Sequence, residues 1–196
     1  MAFCSEENHK ILGLLDTKQL MKITIGSDHA GFALKKVLID HLKKNGHQLD
    51  DVGTDSTQPV DYPDYAEAVA QGVLQGGSER GILICGSGVG ASVAANKVPG
   101  IRAAVCHDSY SAHQGVEHDD LNVLVLGSRV VAEELAKDLC TIFLNARFTG
   151  EERHRRRLAK IHTIEQRYSI DLAKEKDSAK GKDSAREKDS AKEKIS

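Results

Sequence analysis

Two rhythms of apolar and polar residues alternate along the chain from Met21 to Phe143. Short aliphatic and β-branched runs, "MKITIG", "HQLDDVG", "RGILIC", "IRAAVC" and "NVLVLG", are bounded by Gly, Asp or Asn and predict strands. Between them the apolar residues fall at helical spacing. Leu34, Val37, Leu38 and Leu42 mark one such stretch, with lysines expected on its opposite face. "YAEAVAQGVL", "SVAANK", "SYSAHQGV" and a long segment from Val130 toward Phe143 mark the others. Parallel strands need crossover connections, and helices supply them. The alternation therefore predicts an α/β protein, a three-layer α/β/α sandwich around a Rossmann-like five-stranded parallel sheet. Ligands of such sheets bind beyond the carboxyl ends of the strands, where the polar motifs are expected to gather.

Composition adds limits. A chain of 196 residues that is 40% hydrophobic can bury one substantial core, so a single domain is expected, over residues 21–170. A formal net charge of −2 gives no overall pull toward nucleic acid or an anionic membrane. Cys4, Cys85, Cys106 and Cys140 show neither a C-x-x-C pair nor zinc-site spacing, which predicts free thiols, no metal and a reducing, cytoplasmic setting. Residues 1–20 read as a leader, an alternative start or a remnant, because "ILGLL" is too short for a secretory core or a membrane span and no targeting segment is evident. From 171 to 196 the chain repeats a hexad, "KEKDSA", "KGKDSA", "REKDSA", with eight basic and seven acidic residues. That period fits neither a helical face nor a heptad, and the segment is expected to be disordered.

The candidate chemistry centres on "ICGSGVGAS". Cys85 ends an apolar run and Gly86, Gly88 and Gly90 follow at alternate positions, between a predicted strand and a predicted helix. Backbone N–H groups in such a loop make an anion site. Gly86, Gly88 and Ala91 also fit a dinucleotide fingerprint, with Asp108 as its acidic partner, but on the third strand rather than the first. A nucleotide P-loop string is absent, and a tight turn beside a buried cysteine is the plain alternative. A thiol at a helix N-terminus is expected to favour its thiolate, whereas Cys106 and Cys140 lie in apolar contexts that predict inert fillers. Cys85 beside the Ser87 hydroxyl and the loop donors suits proton removal next to a carbonyl.

Other polar clusters each have a bland counterpart. Asp28 and His29 in "SDHAG" could simply cap a helix, and Tyr62 in "DYPDYA" could be turn chemistry stiffened by Pro63. His118 in "VEHDDLN" can exchange protons near neutral pH or be a solvated loop residue. On a helix, Arg153 and Arg157 of "ERHRRR" share a face and could clamp a phosphate, or form a solvated basic face. Arg129 adds a guanidinium at a strand end.

From Met21 to Tyr168 these motifs, with "GSDHAGFALK", "GILICGSGVGASVAANK", "GIRAAV", "NVLVLGSRVV" and "RHRRR" in order, resemble the family of B-type ribose-5-phosphate isomerases and galactose-6-phosphate isomerase subunits. The resemblance implies a cofactor-free, metal-free aldose-ketose isomerase of the pentose phosphate pathway that works through a cis-enediolate. It implies Cys85 as the base between carbons 1 and 2, and Ser87 as the group moving a proton between the sugar oxygens. Gly86, Gly88, Val89 and Gly90 would hold the enediolate with their backbone. By the same resemblance His118 assists ring opening, Asp28 and Tyr62 surround the sugar, and His29, Arg129, Arg153 and Arg157 bind phosphate. Family members are typically homodimers or dimers of dimers with shared sites. One departure stands out: the family commonly has His-Asn at the ring-opening site, and here Asp119 follows His118. A six-carbon sugar phosphate is the alternative substrate, and a nucleotide-binding module the alternative class.

Overall fold

The computed structural model describes residues 20–169. Strands β1 (Lys22–Ser27), β2 (Gln48–Asp51), β3 (Arg80–Cys85), β4 (Ala103–Val105) and β5 (Val123–Gly127) alternate with helices α1 (Phe32–Lys44), α2 (Tyr62–Leu74), α3 (Val89–Ala95), α4 (Ser109–Asp119) and α5 (Glu133–Asn145). A last helix, α6, runs over 152–169. Of the expected leader, 1–20, residues 1–19 lie outside the described residues, as does the expected hexad tail, 171–196. All strand pairs are parallel, in the order β2-β1-β3-β5-β4. The sheet is the predicted one.

Side chains on successive strand residues point to opposite faces, so each face builds its own core. On one face, Ile23, Ile25, Ile82, Ile84, Leu124 and Leu126 pack against α1, α4 and α5. On the other, Leu83, Cys85, Val123 and Val125 meet Ala66, Val69 and Ala70 of α2 and Ala91 and Ala95 of α3. The small residues of α2 and α3 let those helices approach closely. A Cβ on Gly72 would stand 2.4 Å from the Thr24 hydroxyl of β1.

One helical face departs from expectation. Lys36, Lys43 and Lys44 are exposed, but Lys35 is buried, its ammonium 2.6 Å from Asp51 Oδ1 and donating to the Thr54 carbonyl at 2.8 Å. A buried ammonium persists only with such partners. Lys35 thus ties α1 to the chain leaving β2, beneath the carboxyl end of β1.

β1 and β3 are neighbours, yet the chain leaves β1 toward β2 on one side and continues beyond β3 on the other. Their carboxyl ends flank the crevice where the winding reverses, the usual ligand position in such sheets.

Candidate active site

The crevice holds a cavity of about 350 Å³ lined by Asp28, His29, Cys85, Gly86, Ser87 and Arg129. Asp28 performs two tasks. Its Oδ1 accepts the Gly31 N–H at 3.0 Å, closing the turn into α1, while its Oδ2 accepts the Cys85 thiol proton at 3.0 Å. Asp28 thus fixes the turn ahead of Gly31, the N-cap of α1, and lies against the Cys85 sulfur. Asp28 is 5% exposed and Cys85 9%, so the pair is shielded from water but open to the cavity.

The expectation of a thiolate-favouring Cys85 does not hold in this resting arrangement. Burial pushes the thiol pKa up, the hydrogen bond to Asp28 and its negative charge push it further, and the opposing N–H groups of Gly86 and Gly88 do not cancel them. N–H groups at a helix start still lower a thiol pKa, but burial and a carboxylate against the sulfur outweigh them here. Cys106 and Cys140 match their expected role. Burial raises them to about 11 and about 12, and both are buried in the core.

The glycine loop is shaped for close approach. Gly88 caps α3 in the left-handed region, φ 82°, and a Cβ on Gly90 would come within 2.8 Å of the Tyr62 ring. Tyr62 at the start of α2 therefore lies over the loop. Ser87 is exposed at the cavity, and its Oγ accepts the Val89 N–H at 3.3 Å. His29 Nδ1 accepts the Val60 N–H at 3.2 Å, which leaves the ring proton on Nε2. Arg129 follows β5, and its backbone N–H donates to the Gly86 carbonyl at 3.0 Å.

The dinucleotide reading fails on topology. Asp108 follows β4, which β5 separates from β3, about 10 Å at ordinary strand spacing. Its carboxylate accepts the Ser111 N–H at 2.8 Å as the N-cap of α4.

The expectation that every motif gathers at the carboxyl edge fails for His118, Asp119, Arg153 and Arg157. Each helix runs back across the sheet before the next strand, so the end of α4, the residues ahead of β5, lies at the amino edge. His118 is there, its Nδ1 2.7 Å from Gln114 Nε2, and its ring lies 4.1 Å from that of His154 on α6. Helix α6 carries Arg153 and Arg157, both exposed, with Arg153 Nε donating to Glu151 at 2.8 Å. Asp119 borders a different cavity of about 530 Å³, with Ile101, Arg102, Ile164 and Tyr168. That cavity is larger but contains no thiol, whereas the smaller one holds Cys85 and its carboxylate. His154, between these arginines, is fully buried, which so charged a string does not reveal.

A doubly wound sheet with a cysteine-carboxylate pair and glycine-loop donors at its winding reversal has the parts of a sugar-phosphate isomerase, and known proteins agree. A family described as Ribose/Galactose Isomerase matches residues 23–161, and the chain belongs to that family. It is 49% identical to the ribose-5-phosphate isomerase B of Escherichia coli over 148 residues, 76% of this chain and 99% of the relative. It is 42% identical to the D-erythrulose-4-phosphate isomerase of Pectobacterium atrosepticum over 133 residues, 67% of this chain and 87% of that one. The solved Clostridium thermocellum ribose-5-phosphate isomerase B superposes with a TM-score of 0.74 at 53% identity, covering 76% of this chain and 99% of the other.

Proposed function

We propose that this protein interconverts D-ribose 5-phosphate and D-ribulose 5-phosphate, with Cys85 as the base. The observation that carries the reading is the Cys85 sulfur, 3.0 Å from Asp28 and facing the N–H groups of Gly86 and Gly88 in the crevice between β1 and β3. In the open-chain aldose the carbon 2 proton is acidified by the neighbouring carbonyl. The ionised sulfur takes that proton and returns it to carbon 1, while the electron pair passes through a cis-enediolate. Loop N–H groups meet the negative oxygen, and each such donor is worth about 3–4 kcal/mol in the transition state. Ser87 moves the proton between oxygens 1 and 2, Asp28 and Tyr62 enclose the sugar, and His29 and Arg129 reach the phosphate. No cofactor enters this scheme.

Ring opening needs a further acid-base group, and we assign it to His118 of a second copy of the chain, with Asp119 beside it and Arg153 and Arg157 completing the phosphate site. Two features support a shared site. His118 and the α6 arginines lie at the sheet edge opposite to Cys85 in their own chain, and apolar side chains stand exposed next to both halves. Val89 and Val93 on α3 are 60% and 58% exposed, and Ile164 and Tyr168 on α6 are 53% and 60%. The D-erythrulose-4-phosphate relative keeps a different sugar phosphate in view as substrate. The cytoplasm is the setting we assign. Among the described residues no helix is long and apolar enough to cross a membrane.

The test is isomerisation of ribose 5-phosphate by the purified protein with a chelator present, beside Cys85→Ala. Loss of the base should lower kcat by about two to four orders of magnitude with the fold intact. Equal turnover by the variant would assign the base elsewhere, and no turnover by the wild type would overturn the reading.

A further inference from the structure

His154 is fully buried although its neighbours Arg153 and Arg155 are exposed, and it is a polar ring with an unfilled bonding position. Its Nδ1 lies 2.8 Å from the Thr149 hydroxyl, and that hydroxyl donates its single proton to the Glu117 carbonyl at 3.1 Å. Thr149 can therefore only accept from the ring, which places the His154 proton on Nδ1 and leaves Nε2 as a bare acceptor. Among the described residues Nε2 has no partner. A leucine or phenylalanine would fill the same space without an orphaned nitrogen, so ordinary packing does not account for the choice.

The ring has one distinctive neighbour. His118 lies against it, centroids 4.1 Å apart and planes inclined by 34°, and Gln114 holds His118 from one turn earlier in α4. Thr149 also donates its backbone N–H to the Glu117 carbonyl at 3.1 Å, which anchors the His154 support to the residue preceding His118. Burial, with His118, Arg153 and Arg157 nearby, outweighs Glu151 and pushes the His154 pKa below the ordinary histidine value.

We infer that His154 is the positioning residue of His118: an imidazole tied through Thr149 to the end of α4, on whose face the ring-opening histidine is set. The inference rests on the role of His118 given above. Touching neither thiol nor glycine loop, His154 acts on ring opening and not on the carbon-to-carbon proton transfer.

The two steps can be read separately. Ribose 5-phosphate closes to a furanose through its oxygen 4, whereas ribulose 5-phosphate has oxygen 5 esterified and stays open. Solvent deuterium entering carbon 1 of ribulose 5-phosphate therefore reports the Cys85 chemistry alone. His154→Asn keeps a donor toward Thr149 but removes the ring face; it should slow ribose 5-phosphate turnover about ten- to a hundredfold while exchange stays within about twofold of wild type. His154→Phe, which keeps a ring in place but gives up the tie to Thr149, should recover part of the lost turnover. Equal losses in turnover and exchange, or no recovery with Phe, would overturn the inference while the isomerase reading stands. A wild type inactive in both assays would overturn that reading and the inference with it.

Discussion

Cys85 and Asp28 are 57 residues apart in sequence and 3.0 Å apart in space, and their contact sets the acid-base behaviour of the site. A resting thiol held above its ordinary pKa means that the active, ionised sulfur grows in as pH rises, so kcat/KM should climb on the alkaline side. Asp28→Asn removes the negative charge and places an amide beside the sulfur. The rising limb of the pH profile should then move to lower pH, because both causes that the carboxylate supplies disappear. An inflection that stays put, or moves to higher pH, would show that the sulfur is not the titrating group. Cys85 was legible from the chain because a cysteine closing a strand before alternate glycines stands out locally. Its protonation was not, since a helix start argues for the thiolate and the opposing carboxylate arrives from β1. His154 was illegible for the same reason: its Thr149 and His118 partners are set by how α6 meets α4.

Elements were far more readable than their contacts. Short apolar runs mark the strands, which are covered on both faces, and a 3.6-residue period marks helices α1 to α5, because each must bury its apolar side. What those patterns cannot show is which polar side chain a neighbouring element will accept. Lys35 reads as one lysine among several on a polar face, and its burial depends on Asp51 at the end of β2. Gly72 is a second case. In an isolated helix, Gly→Ala stabilises by about 1 kcal/mol, but here the added Cβ meets a Thr24 side chain that is itself fully buried. Pushing α2 away from β1 costs about 1–3 kcal/mol, so Gly72→Ala should leave the protein less stable despite the helical gain. Urea unfolding measures the sign directly, and a stabilised variant would mean that α2 shifts to admit the methyl.

At the scale of the molecule the fold divides the assigned chemistry between two edges. Winding a helix back across the sheet after each strand sends Asp28, Cys85 and Arg129 to the carboxyl edge and His118 to the other, and no motion within one chain that preserves the sheet can join them. The motifs announced these residues but not this separation, because an ordered list of motifs contains no record of sheet edges. In the homodimer we propose, two-fold symmetry would join the halves twice, each copy lending His118 and its arginines to the other's cysteine. Cys85→Ala and His118→Asn should each be nearly inactive toward ribose 5-phosphate alone. Unfolded together and refolded at equal concentration, about half the dimers would be mixed, and each mixed dimer would hold one intact site and one doubly defective site. Activity should therefore return to about one quarter of wild type. Were each chain to build its own site, every site in the mixture would still lack one group, and the mixed sample would stay as inactive as its parents.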